Sequence, residues 1–401
     1  MDKLNLNTFG EVIHIIKQAR NNALKAVNTE LINLYWNVGA YISTKISSSN
    51  WGDKTVDELA KFIQTSQPDL KGFSKSNLFR MKQFYEIYSQ HRIVASARRQ
   101  LQDIDSKGDI IVASTRRQLQ NENNEQDIIV SSARTQLQNE QNSADEIVSL
   151  AQFEITDIRQ TVLVKLSWTH HRTIFSRCKT DEEREFYIRL SIKDNYTVKE
   201  LDRQITAAVF ERTMLSKTNT SPVLEAIAPN INQHFKDAYV FEFLNLPEPY
   251  TENDLKKGLI QKMKTFLLEL GKDFLFVSEE FRVQVGSRDF YIDLLFYHRE
   301  LQCLVAFELK NTSFEPEHLG KLNFYLEALD RDVKKANENP SIGILLCKDK
   351  EHEVVEYALS RQLSPTLVSQ YELALPDKKL LQAKLHELFE MWEDKLRESK
   401  I

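Results

Sequence analysis

A chain of 401 residues, 41% hydrophobic and 28% charged, is long enough for two domains of ordinary size and has a globular composition. Its apolar runs are broken by charges short of the roughly 18 residues a spanning helix needs, and the N-terminal "MDKLNLNTFGEV" has no apolar signal core, so no membrane association and a cytoplasmic location are expected. A formal charge of -5 excludes a basic coat over the whole surface, but not nucleic acid, because screening lets a local basic face act alone.

Residues 9–92 read as helical by period, and "VIHIIKQARNNALKAVNTELINLYWNVGAYISTKI" keeps an apolar stripe over many turns that ends near "SSSNWGD". "TVDELAKFIQTSQPDL", a Lys71-Gly72 turn and "FSKSNLFRMKQFYEIYSQ" then predict a helix-turn-helix pair with Ser74 capping its second helix. Such a helix presents Lys75, Asn77, Arg80 and Lys82 to phosphates or bases; an ordinary helical hairpin with a solvated basic face fits the same pattern. A tandem repeat comes next, "IVASARRQLQ" from Ile93, "IVASTRRQLQ" from Ile111 and "IVSSARTQLQ" from Ile129, with a decayed copy from Ile147. In one continuous helix its 18-residue offset would align Arg98, Arg116 and Arg134 on one face. The acidic spacers "DIDSKGD" and "NENNEQD" favour instead a duplicated, non-catalytic insertion of short helices and flexible turns.

Beyond the repeat, "TDEEREFYIRL" starts on a Thr180 cap, and the adjacent His170 and His171 cannot share one helix face as a pair of metal ligands would. Linker signals cluster at "KTNTSPVLEAIAP". The second half reads as a helix ending at Gly271, three strands ("FLFVSEEFRVQVG", "RDFYIDLLFYH", "LQCLVAFELKN"), a helix from near Pro316 and a buried strand "SIGILLCKD". The expectation is a two-domain α+β/α/β protein. A helical N-terminal domain (1–222) carries the repeat insertion (92–150), an αβββαβ domain spans 223–375, and an amphipathic helix occupies 376–401, suited to packing on the body or on a second copy. The three cysteines, Cys178, Cys303 and Cys347, have no disulfide or metal spacing and are expected as reduced core residues.

Strand alternation puts Glu308 and Lys310 on one face, and the short turn at His298 to Glu300 brings Asp293 beside Glu308. Burying unpaired carboxylates costs several kcal/mol each, which a hard divalent cation offsets. Oxygen ligands favour Mg²⁺, with Mn²⁺ as the alternative; Lys310 would orient a water or neutralise developing charge. Taken alone, the E-x-K triplet fits a simple ion pair on a half-exposed sheet.

Asp293 followed by Glu308-Leu309-Lys310 in an αβββαβ order resembles the PD-(D/E)XK, or restriction-endonuclease-like, nuclease superfamily. Within it, "FYIDLLFYHRELQCLVAFELK" and "FEPEHLGKLNFYLEALD" resemble the C-terminal domain of YhcG-like bacterial proteins. "GFSKSNLFRMKQFY" and "LSWTHHRTIFSRCKTDEEREFYIR" resemble their helical, winged-helix-like N-terminal domain. The resemblance implies Asp293, Glu308 and the Leu309 carbonyl as metal ligands, Lys310 as catalytic lysine and Glu269 as the assisting helix carboxylate. Lys321 stands where the family often has Gln, with Asn323 as an alternative polar contact to nucleic acid. The implied activity is Mg²⁺-dependent hydrolysis of phosphodiester bonds in DNA. Its alternatives are a non-catalytic DNA-binding or assembly protein that keeps the fold, and a protein scaffold built on the repeat and the last helix.

Overall fold

The structure, a computed structural model, describes residues 3–48, 52–89, 158–159, 161–216, 219–228, 231 and 234–398. The 92–150 repeat, with Arg98, Arg116 and Arg134, lies outside the described residues. Two compact units divide the chain, Met1–Val198 and Lys199–Ile401. That division falls ahead of the linker-like cluster at Pro222, because the helices between are tied to the second unit by the ion pairs described below.

The described part of the first unit is helical: α1 (Lys3–Ser47), α2 (Asp53–Ser66), α3 (Lys75–Tyr88), α4 (Trp168–Arg177) and α5 (Asp181–Asp194). Helix α1 buries Ile32, Trp36 and Ala40 on one side, where Trp36 packs edge-on against Phe84 of α3. The two helices cross so closely at Gly39 that any Cβ there would collide with the Met81 carbonyl. Another side of α1 leaves Val12, Ile13, Ile16, Leu24 and Val27 exposed. The expected α2-turn-α3 pair forms, with Gly72 at φ +100° in the turn and Ser74 at the N-cap. Thr180 caps α5 by accepting from the Glu183 N–H. His171 is a core residue, bonded through Nε2 to the Leu163 carbonyl, and burial lowers its pKa to about 4.

The second unit begins with α6 (Val198–Thr206), α7 (Val209–Leu215), β1 (Asn219–Thr220), α8 (Pro222–Ile227) and β2 (Ala238–Val240). The predicted αβββαβ core comes after them. Its helix is interrupted at Lys262 into α9 (Glu252–Gln261) and α10 (Met263–Leu270), where φ -107° and ψ 27° leave the helical region. Then come β3 (Phe274–Val285), β4 (Arg288–His298), β5 (Cys303–Leu309), α11 (His318–Asp332), β6 (Ile342–Cys347), α12 (His352–Leu359), β7 (Thr366–Glu372) and α13 (Lys378–Glu398). The sheet order is β1-β7-β6-β5-β4-β3, with β2 beside β7; β3, β4 and β5 run antiparallel, while β5, β6 and β7 are parallel.

Both faces of this sheet are covered, so β5 and β6 are apolar nearly throughout. Phe307 and Leu309 face one layer with Leu255 and Leu259 of α9 and Phe266 and Leu270 of α10. Leu295 and Ala306 face the other, with Leu322, Leu326 and Leu329 of α11. All three cysteines are free and buried. Among the described residues, no helix is long and apolar enough to cross a membrane.

Candidate active site

Strands β4 and β5 pair Leu294 with Phe307 and Leu295 with Ala306. Continuing that register one step sets Asp293 opposite Glu308, with both side chains on the face that α11 covers. Glu308 is 0% exposed and the Asp293 side chain 20% exposed. Glu308 Oε1 accepts from Lys310 Nζ at 3.0 Å and from Lys321 Nζ at 2.7 Å. Asp293 Oδ2 accepts the Leu309 N–H at 3.0 Å, and its Oδ1 lies 3.8 Å from Lys256 Nζ. Burial, and then the Glu308 carboxylate beside it, raise the Asp293 pKa above the ordinary range.

Three features of this site were not visible in the sequence. Glu252, in the first turn of α9, lies 3.3 Å from Lys310 Nζ, so two carboxylates flank that ammonium. Burial opposes the Lys310 charge, yet Glu308 and Glu252 outweigh it and raise the pKa. Lys256, one turn further along α9, pairs with Asp293 and with Glu280 at 2.6 Å. Lys321, expected as a nucleic-acid contact, is bonded to Glu308 and lies over the Tyr325 ring. The Thr251-Asp254 capping box that starts α9 upstream of the apolar run was the available signal for Glu252.

Glu269 stands elsewhere. It belongs to α10, which packs on the sheet face opposite to Asp293 and Glu308, since its neighbours Phe266 and Leu270 share a layer with Phe307 and Leu309. Its partners are Arg203 at 2.9 Å, Lys236 at 3.2 Å, Arg212 at 3.4 Å and the Val240 N–H at 3.2 Å. Burial opposes its charge, but the three cations prevail and hold the carboxyl at about 2. Asn323 is likewise occupied, its Oδ1 accepting from Gln362 at 2.6 Å.

The residues on α3 differ in availability. Asn77 is structural, accepting from Trp168 Nε1 at 3.0 Å and donating to the Gly72 carbonyl. Lys82 pairs with Glu86 at 2.9 Å and Lys75 with Asp57 at 3.7 Å. Arg80 has no polar partner among the described residues.

The donor set near Glu308 suits a hard cation. Glu308 Oε2 is buried and has no hydrogen-bond partner among the described residues, and leaving such an acceptor unmet costs about 1–3 kcal/mol. No group of three His, Cys, Asp or Glu side chains able to hold a metal occurs among the described residues. Asp293 and Glu308 leave a pair of carboxylates there, a donor type that suits a hard divalent cation completed by water and phosphate oxygens rather than by a full protein cage.

Residues 232–386 match the family described as the YhcG PDDEXK nuclease domain, and residues 11–107 and 108–212 match the DUF1016 N-terminal domain. The chain is 30% identical over 383 residues to "Putative nuclease YhcG" of Escherichia coli (strain K12), covering 92% of this chain and 90% of that protein. A crystal structure of a repair endonuclease from Pyrococcus abyssi overlaps 32% of this chain and 50% of its own, at 15% identity and a TM-score of 0.22, too slight a likeness to bear on the fold. The relative matched over nearly its whole length and the two domain families, taken together, decide the lineage: the chain belongs to the YhcG-like family of PD-(D/E)XK nuclease-domain proteins.

Proposed function

We propose that this protein is a Mg²⁺-dependent nuclease that hydrolyses phosphodiester bonds in DNA. The observation that carries the reading is the pairing of Asp293 with Glu308 on one sheet face, with Glu308 Oε2 buried and unpartnered and Lys310 3.0 Å from Oε1. Asp293, Glu308 and the Leu309 carbonyl would hold the cation, which supplies charge neutralisation at the scissile phosphate and lowers the pKa of a bound water. Lys310, half-buried and held by Glu308, Glu252 and the Leu309 carbonyl, stays charged and would meet the attacking water or the negative charge that develops on phosphate. Lys321 and Lys256 balance the two carboxylates while no substrate is present. Glu269 acts on the fold, through α6 and α7, rather than on the reacting atoms.

In the N-terminal domain, Arg80 is the residue of the α3 face with the clearest opportunity to meet phosphate. The helical segments also suit contact with a second copy, a reading supported by the exposed apolar side of α1 and checked by the mass of the protein in solution. Incubation with linear, circular, branched and single-stranded DNA in Mg²⁺ tests the activity. Cleavage by the wild type that is lost in Asp293→Ala and Lys310→Ala supports it. Equal activity in all three proteins marks a contaminant, and binding without cleavage marks the non-catalytic alternative.

A further inference from the structure

The parallel strands β5 and β6 end side by side, and each runs on into polar residues. After β5 come Lys310 and Asn311; after β6 comes Lys348. The two exits are locked together: the Lys348 N–H donates to the Thr312 carbonyl at 3.0 Å and the Lys310 N–H to the Leu346 carbonyl at 2.8 Å. Between them opens a cleft of about 480 Å³ lined by Glu248, Pro249, Tyr250, Asn311 and Lys348. Crevices beyond the carboxyl ends of parallel strands are where open α/β sheets take their ligands, and pockets of roughly 300–1,000 Å³ suit small organic groups.

Its walls suit an anionic guest, with an exposed lysine set over a buried tyrosine. Tyr250 is anchored, with its hydroxyl 3.0 Å from that of Tyr371 and its carbonyl accepting from Asn311 Nδ2 at 3.0 Å. Lys348 Nζ lies 5.5 Å from the Tyr250 ring centroid. The only ion pair of Lys348 among the described residues is with Glu248 at 2.9 Å, and the two side chains are 48% and 67% exposed. So exposed a pair contributes about 0–1 kcal/mol, and exchanging Glu248 for a phosphate oxygen costs little. The cleft also adjoins the reacting centre: Asn311 comes directly after Lys310, and Glu252, two residues after Tyr250, is bonded to the Lys310 ammonium.

We propose that this cleft is a nucleotide subsite. It receives the nucleoside unit next to the bond being cut, with Lys348 releasing Glu248 to take that unit's phosphate and Asn311 and Tyr250 forming the wall. The proposal rests on the nuclease reading for the identity of its ligand. Glu248 then acts as a placeholder that disfavours occupation by anything less charged than a phosphodiester.

The test uses the full chain and a fluorescent single-stranded DNA oligonucleotide, with affinity measured across a salt series without added metal and cleavage rates measured separately with Mg²⁺. A lysine that neutralises one phosphate contributes about 0.7 to the slope of log K on log salt for a single strand. Lys348→Gln is expected to lower that slope by this amount, to weaken binding about five- to tenfold at low salt, and to raise KM with kcat kept within about twofold. Glu248→Gln, which removes the competing carboxylate, is expected to bind about twofold or more tightly, a gain that damaged folding would not produce. Unchanged affinity and slope in Lys348→Gln, or weaker binding in Glu248→Gln, overturns the subsite. The two readings separate cleanly: a reduced slope without any wild-type cleavage keeps the cleft and removes the nuclease, while normal cleavage with an unchanged slope does the reverse.

Discussion

Glu308 and Glu269 are both 0% exposed, belong to the same unit and sit among lysines or arginines, yet they differ in what their oxygens lack. Glu269 has both oxygens engaged, by Arg203, Arg212, Lys236 and the Val240 N–H. Glu308 spends one oxygen on two ammonium groups and leaves the other buried with no donor among the described residues. A buried carboxylate whose lone pairs are all met holds elements together. One with an unmet oxygen beside a second carboxylate is arranged for something that is not protein.

The largest effect expected from breaking this contrast is on stability. Glu269→Ala strands three cations around an empty position, and losing one partner of a buried ion cluster costs about 3–5 kcal/mol. Urea unfolding should show that loss, while the protein that remains folded cleaves DNA at close to the wild-type rate. The complementary changes, Asp293→Ala and Lys310→Ala, should reduce cleavage by about 10²–10³, or 2.7–4 kcal/mol of barrier, with the thermal midpoint of Asp293→Ala near that of the wild type. If Glu269→Ala abolished cleavage without destabilising the fold, the two carboxylates would have exchanged roles.

The pH dependence sharpens the same point. The Glu269 carboxyl falls from an ordinary 4.5 to about 2 on folding. As the pH drops, the unfolded chain takes up the proton first, so the stabilisation is complete above about 4.5 and drains away as the pH approaches 2. Its size is on the order of 3 kcal/mol. Comparing urea midpoints of the wild type and Glu269→Gln between pH 6 and pH 3 should show a steeper loss in the wild type, because the variant keeps only the slope of the other carboxylates.

The smallest expected effect concerns the unmet oxygen. Mg²⁺ at about a hundredfold its dissociation constant should stabilise the wild type by about 2.7 kcal/mol. A thermal shift read without any substrate should show most of that gain lost in Glu308→Gln and kept in Glu269→Gln. An equal shift in both variants would remove Glu308 from the metal site.

Much of this was legible in the chain. The pairing of Asp293 with Glu308 needs only the two-residue period of a strand and a short connection, both local properties. The αβββαβ order of the second unit and the α2-turn-α3 pair follow from apolar periodicity and from turns at Gly72 and Gly286 in the same way. Glu269 shows where that reasoning stops. A glutamate on the helix before the strands looks equivalent to any other until its tertiary partners are known, since Leu255 and Leu259 of α9 pack in the same layer as Phe266 and Leu270 of α10. The helix break at Lys262 compounds this: Glu252, at the start of the first segment, reaches Lys310, while Glu269, near the end of the second, does not.

The sequence by itself thus determined the secondary elements, the adjacency of Asp293 and Glu308 and the sidedness of Lys310, because short-range geometry leaves little choice there. Only the tertiary structure decided that Glu252, Lys256 and Lys321 complete the cluster, that Glu269 answers to Arg203 and Arg212 instead, and that Lys348 shares a cleft with Asn311. Those pairings join positions far apart in the chain. Their partners are chosen by which helix buries which face of the sheet, and the energy of that choice is spread over the whole core rather than written in any one segment.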